Sequence, residues 1–270
     1  MALVLGASAV GAAHVRADLP CQDAFRVTTS DGSVVVAVAD GLGSASRSDI
    51  GAATAVEAAV ARAAEVAGDP CRAAVEGVVA AREALEKLAV GEDHDLADLA
   101  CTLMVAVARE RVGIAHIGDG AVVGMSQDRP FLLSPPADTE YVNEVDPLTS
   151  ADWIGLVRPV SCVDSIDALA LFTDGCHHAA LRKGSAHAGF FGPLFAYARG
   201  GVDAQAGSRA VADLLGGKKM GEHSDDDKTL VLVVLRMEQS DSTVRMEQSD
   251  STVRMERSDS TVRMERSDST

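Results

Sequence analysis

Five aspartates carry most of the chemistry this chain offers. Asp23 sits in CQDAF, Asp40 in VAVADG, Asp119 in IAHIGDG, Asp174 in ALFTDG and Asp226 in the DDD run that precedes TLVLVVL. Each stands where a polar loop meets an apolar run. A single Asp-Gly pair is most often only a turn. Five carboxylates at five such boundaries are harder to assign to turns, because a turn needs no apolar strand before it. Carboxylates gathered at one edge of a β core repel each other unless a cation lies between them. An all-oxygen site of this kind suits Mg²⁺ or Mn²⁺.

The elements that must position these groups follow from the pattern of the chain. Val34 to Ala39 is a continuous, largely β-branched apolar run that ends in Asp40-Gly41, the mark of a fully buried strand. Strands are expected over residues 2–11, 23–29, 34–39, 101–109, 112–117, 121–125, 169–173 and 229–235, with 101–125 read as a three-strand meander. Ser30-Asp31-Gly32-Ser33 is a hairpin turn. Alanine-rich helices are expected over 50–66 and 71–88, with Arg82, Glu83, Glu86 and Lys87 on the wet side of the second. A further helix fits 203–215, and a short one begins at His177. Residues 134–153 read as an irregular loop long enough to be functional. Residues 184–201 carry five glycines and resist assignment. Two consecutive helices inserted among strands imply a layered α+β fold.

Bulk properties narrow the partners. The 270 residues are 47% hydrophobic but only 3% aromatic, so the core must be built of Ala, Val and Leu. A formal net charge of −16 repels nucleic acid and anionic membrane, and neither is expected as a partner. Five cysteines without CxxC spacing point to a reduced, cytoplasmic protein. From Arg236 onward a nine-residue unit, RMEQSDSTV or RMERSDSTV, recurs four times with the last copy cut short. One Met and one Val per copy cannot build a core, so residues 236–270 are expected to be a disordered tail on a domain spanning 1–235.

The strings CQDAF, VAVADGLGSA, IAHIGDGAVV, ALFTDG and DDDKTLVLVV resemble, in order and approximate spacing, the metal-dependent protein phosphatases of the PP2C type. The resemblance spans residues 3–235 and is nearest to the small stand-alone domains of bacterial signalling. It implies an αββα sandwich, two antiparallel sheets face to face with helices outside. It also implies hydrolysis of phosphoserine and phosphothreonine on proteins, with a water bridging two Mg²⁺ or Mn²⁺ ions as the nucleophile. By motif, Asp40 would bridge both ions and the Gly41 carbonyl would bind one. Asp174 and Asp226 would hold the other, Asp23 would act through metal-bound water, and Asp119 would support a third ion. Asp40 and Asp174 are thus the catalytic candidates. The partners implied are a phosphorylated protein substrate and a cognate serine/threonine kinase.

Three positions depart from the family pattern. Leu42 stands where many eukaryotic members have a histidine proposed as general acid. Asp18 stands where an arginine often grips the substrate phosphate, leaving Arg16 and His14 as nearby substitutes. Gln22 replaces a common glutamate. None removes a direct metal ligand. Two other readings remain open on the residues alone: a phosphatase-like module that binds without turnover, and a hydrolase of small phosphate esters. Cys176 and Arg182 match the C-x5-R spacing of cysteine-dependent phosphatases, but the intervening HHAAL has no glycine to form a phosphate cradle, so the match is read as chance.

Overall fold

In the computed structural model, residues 2–30, 32–137, 145–163 and 166–235 are described, without the side chains of 161–163. Contacts divide the chain into a unit Met1–Met237 and a C-terminal unit Glu238–Thr270; the repeats lie outside the described residues. Two five-stranded antiparallel sheets form the centre. One has the order β1 (Leu3–Ala9), β12 (Lys228–Val234), β9 (Ala168–Phe172), β6 (Ala121–Ser126), β7 (Arg129–Ser134). The other runs β2 (Ala24–Ser30), β3 (Ser33–Ala39), β4 (Leu103–Ala108), β5 (Val112–Ile117), β8 (Arg158–Val163). Helices flank both sheets, giving the expected α+β sandwich.

The apolar runs are continuous because both faces of the central strands are covered. Successive side chains alternate between faces. Val34, Val36 and Val38 of β3 point between the sheets and meet Met104, Ile114, Leu169, Leu171, Val231 and Val233. Val35, Ala37 and Ala39 point outward, under α2 (Ser48–Glu65) and α3 (Pro70–Glu92). The helix faces that cover them are mainly alanine, Ala52, Ala55 and Ala59 among them. Small side chains let helix and sheet approach closely, which is how a core with few aromatics still fills its volume. The other outer face is different. Phe172 on β9 packs against Phe191 and Phe195 of α6 (Ala188–Arg199), beside Val211 and Leu215 of α7 (Ala204–Leu215).

Several local expectations are corrected. The first strand stops at Ala9 and is followed by a six-residue helix, α1 (Ala12–Ala17), none of whose residues is buried. Ala12 and Ala13 favour helix over strand, and His14 and Arg16 have no place in an apolar ladder. Residues 101–125 are not one meander. β4 pairs with β5, but β6 pairs with β7 and β9 in the opposite sheet. The chain changes sheets at Gly118-Asp119-Gly120, so Asp119 lies on the crossing itself. The 134–153 region is preceded by β7 and runs into a short helix, α4 (Trp153–Leu156); residues 138–144 are outside those described. The glycine-bearing 184–201 stretch contains α6. Arg82 is not on the wet side of α3 but 8% exposed, its guanidinium donating to the Leu148 and Ser150 carbonyls and lying over Trp153. Removal of the long charged side chain from water is offset by those bonds and by Glu86.

A small hairpin, β10 (Leu181–Arg182) and β11 (Ser185–Ala186), follows the short helix α5 (His177–Ala180), and α8 (Lys218–Gly221) precedes the last strand. No helix among the described residues is long and apolar enough to cross a membrane.

Candidate active site

Three strands deliver their last residues to one end of the sandwich. β3 ends at Ala39 and presents Asp40, β9 ends at Phe172 and leads to Asp174, and β5 leads to the crossing that carries Asp119. β12 starts at the same end, and Asp226 lies just before it. These four aspartates, with Gly41, Leu42 and His14, line one cleft of about 730 Å³. Asp23 stands behind the cleft wall, 7% exposed, and its charge reaches Asp40. Gln22, Thr102, Asp146 and Asp227 complete the lining relevant to the chemistry.

Each carboxylate is held by its backbone neighbours. The Asp40 N–H donates to Thr102 Oγ1 at 3.0 Å, while the Thr102 N–H donates to the Asp40 carbonyl at 2.8 Å. The following glycine is strapped on both sides: Gly41 N–H donates to the Gln22 carbonyl and Leu42 N–H to the Ala100 carbonyl. A Cβ at Gly41 would lie 2.7 Å from the Ser48 carbonyl oxygen and 2.8 Å from that of Gln22, so no side chain fits. Gly175 is tighter still, its notional Cβ only 1.9 Å from the Asp227 carbonyl oxygen. That glycine lets the loops carrying Asp174 and Asp226 pass in contact. Thr173 Oγ1 donates to Asp23 Oδ2 at 2.8 Å and accepts from the Thr229 N–H at 2.9 Å, tying β2, β9 and β12 together at the site. Arg158 donates to the Gly118 carbonyl at 2.6 Å and to the Pro135 carbonyl at 2.7 Å, which fixes the turn ahead of Asp119.

The electrostatics are those of acids crowded without compensation. Burial pushes Asp23 up to about 7, with the charges of Asp227 and Asp174 adding to it against the hydrogen bonds from Thr173 and Thr229. Asp40 is raised well above the usual carboxylate range, first by burial, then by Asp23, Asp174 and Asp119. Asp119 is raised to about 6 by burial and Asp174, and Asp226 is raised for the same two reasons. Asp23 Oδ1, Asp174 Oδ1 and Gln22 Oε1 are buried and have no hydrogen-bond partner among the described residues. Unpartnered buried oxygens are costly in isolation. Their chemistry, all oxygen and mostly anionic, fits a hard divalent cation. Among the described residues no group of three or more His, Cys, Asp or Glu side chains is drawn into a ready metal cage. The carboxylates line the cleft, with Asp174 near enough to Asp40 to raise it. This suits ions that keep several waters and take one or two carboxylates each.

The structure separates the two phosphate-contact candidates. His14 lines the cleft, its Nδ1 2.9 Å from Asp227 Oδ2. Arg16 instead pairs with Asp225 at 2.7 Å on the surface and is not among the cleft residues. Asp18 ends α1 in the left-handed region, exposed. Asp227 was not singled out within the DDD run, yet it is 2% exposed and accepts from the Gly11 and Gln22 N–H groups at 2.7 and 2.6 Å. It is the latch that brings the N-terminal segment, and His14 with it, to the cleft. Thr102 and Asp146 carry no pattern that a strand-end search would find. Cys176 is fully buried, its thiol pushed up by burial and Asp23, which removes it as a nucleophile.

Two facing antiparallel sheets with helices outside, and acidic residues gathered at one end, define the class of αββα sandwiches with an acidic cleft. The Protein phosphatase 2C family matches residues 10–216, and the chain belongs to it. Serine/threonine-protein phosphatase 3 of Escherichia coli (strain K12) is 31% identical over 244 residues, covering 84% of this chain and 96% of the relative. The S. agalactiae serine/threonine phosphatase superposes with a TM-score of 0.63 at 14% identity, covering 87% of this chain and all of that one. Stp1 from Staphylococcus aureus gives 0.62 at 13% identity over 88% and 96%.

Proposed function

We propose that the protein hydrolyses phosphoserine and phosphothreonine esters on proteins, with two divalent cations, Mn²⁺ or Mg²⁺, held in the cleft by Asp40, the Gly41 carbonyl, Asp174 and Asp226. The observation that carries this is the convergence of strand-end aspartates from both sheets on one cleft, with buried carboxylate oxygens left without partners among the described residues. Family membership and the E. coli relative support the reaction class. Asp23 serves from behind the wall through water, and Asp119 supports a third ion. Bound there, divalent cations would lower the pKa of the attacking water and offset charge on the phosphoryl oxygens.

The chain's own residues do the rest. Thr102 and Thr173 hold the Asp40 backbone and the Asp23 side chain in place. His14, mounted on Asp227, is the side chain at the cleft wall that meets the substrate phosphate; Arg16 reaches it only by giving up Asp225. Leu42 has no proton to donate, so the departing serine or threonine oxygen takes its proton from water or from another group at the cleft. A serine/threonine kinase supplies the substrate.

Phosphate release from a phosphothreonine peptide tests the proposal. Release is expected with Mn²⁺, to stop with EDTA, and to be lost in Asp40→Asn. Equal rates for wild type and Asp40→Asn would overturn it. Faster turnover of a small aryl phosphate than of any phosphopeptide would move the assignment to small esters.

A further inference from the structure

A second cavity, of about 500 Å³, is walled by α5, the β10–β11 hairpin, the start of α6 and α8. It gathers His178, Arg182, His187, Lys219 and His223, and among the described residues no Asp or Glu lines it. In a chain with 40 acidic and 24 basic residues this is an exceptional concentration, holding three of the seven histidines. Several surface cations elsewhere are paired: Arg26, Arg47, Arg62, Arg72 and Arg199 each meet an Asp or Glu. Among the described residues no ion pair holds Arg182 or Lys219, and the neighbouring Glu222 is 3.9 Å from Lys218 instead. Unpaired cations in a concave site are what an anion requires.

The histidine at the centre is rigidly mounted. His187 N–H donates to the Ala180 carbonyl at 2.8 Å, and its Nδ1 lies 3.0 Å from the Ala179 carbonyl. A carbonyl only accepts, so Nδ1 carries a proton, and this bond with the backbone one fixes the ring at the cavity wall. Phe190, standing edge-on to Phe191, and the side chains of Leu181, Leu214 and Met220 give the cavity an apolar floor. The ligand this describes has an anionic head and an apolar or aromatic body.

The two sides of the cavity lead to different catalytic aspartates. α5 begins three residues after Asp174, and α8 ends five residues before Asp226. An anion held between Arg182 on one side and Lys219 on the other clamps the two segments together. We propose that this cavity is a second, non-catalytic site for a phosphate-bearing anion with an apolar body, and that its occupation tightens cation binding at the cleft.

Calorimetric titration of phenylphosphonate, which is not hydrolysed, into the full chain tests the site by binding, independently of turnover. Asp40→Asn is expected to bind it. Adding Arg182→Ala and Lys219→Ala to that background should weaken binding tenfold or more. In the wild-type background the same double substitution should leave basal phosphatase activity and unfolding temperature unchanged, since both side chains are exposed. Inorganic phosphate should bind more weakly than phenylphosphonate. Phenylphosphonate should also lower the Kd for Mn²⁺ by about fivefold in wild type, a modest allosteric coupling, and not in the double variant. Equal phenylphosphonate affinity with and without Arg182 and Lys219 overturns the site. Equal affinity for inorganic phosphate overturns the apolar body. Binding with no change in Mn²⁺ affinity overturns the coupling.

Discussion

Burial and neighbouring carboxylates raise Asp40 and Asp23 above the ordinary range, so each is expected to cost stability when ionised in the metal-free fold. Asparagine at either position has nearly the same shape without the charge. Asp40→Asn is therefore expected to lower kcat by at least about 10²-fold, as loss of an electrostatic element of a transition-state site does, while raising the unfolding temperature in EDTA. Stability lost to function in this way is common at active sites. The pH dependence has a definite sign. The folded-state pKa of Asp23, about 7, lies above the ordinary 3.8, so its contribution is fully present below about pH 4 and is lost as pH rises through 7. In EDTA, Asp23→Asn should be more stable than wild type at pH 8, with the advantage shrinking towards pH 5. Thermal unfolding across that range checks it, and a constant difference would count against the buried charge. Among these residues, Asp40, Asp119 and Asp174 were legible because each follows an apolar strand. Asp227 was not, because three consecutive aspartates look alike until burial distinguishes the latch from its neighbours.

At the scale of elements, the strands were legible and their partners were not. β4 and β9 are unbroken apolar runs, and β3 and β12 nearly so, which announces burial on both faces. Nothing in Ala121 to Met125 says that β6 abandons β5 for the opposite sheet; that is decided by long-range pairing with Ala168 to Phe172. α1 was hidden because its short alanine pair adjoins an apolar strand, and α6 because glycine obscured the Phe191 and Phe195 spacing. The contacts between elements give sharp expectations. Gly175→Ala drives a methyl into the Asp227 carbonyl and should cost about 1–3 kcal/mol, the usual range for overpacking. It should also weaken Mn²⁺ binding by displacing Asp174 and Asp226. Phe172→Ala empties the space against Phe191 and should cost about 3–5 kcal/mol, without changing which residues face the cleft. Denaturant unfolding and Mn²⁺ titration separate the two effects.

Over the whole molecule, one sandwich concentrates negative charge at one end and leaves a cationic cavity beside it, against a net charge of −16. The repeats after Leu235 add no apolar pattern that could join the core. Truncation after residue 235 is expected to leave both the unfolding temperature and peptide turnover unchanged; a loss of either would give the tail a part in the fold or the site. The cleft itself is where the fold and the proposed chemistry depend on each other most. Crystals soaked in MnCl₂ and measured at the manganese absorption edge would show the ions directly. Two anomalous peaks about 3.5–4 Å apart, as two-metal hydrolases require, are expected in the cleft between Asp40, Asp174 and Asp226. Manganese bound only elsewhere, with those aspartates left without a cation, would contradict the proposed centre.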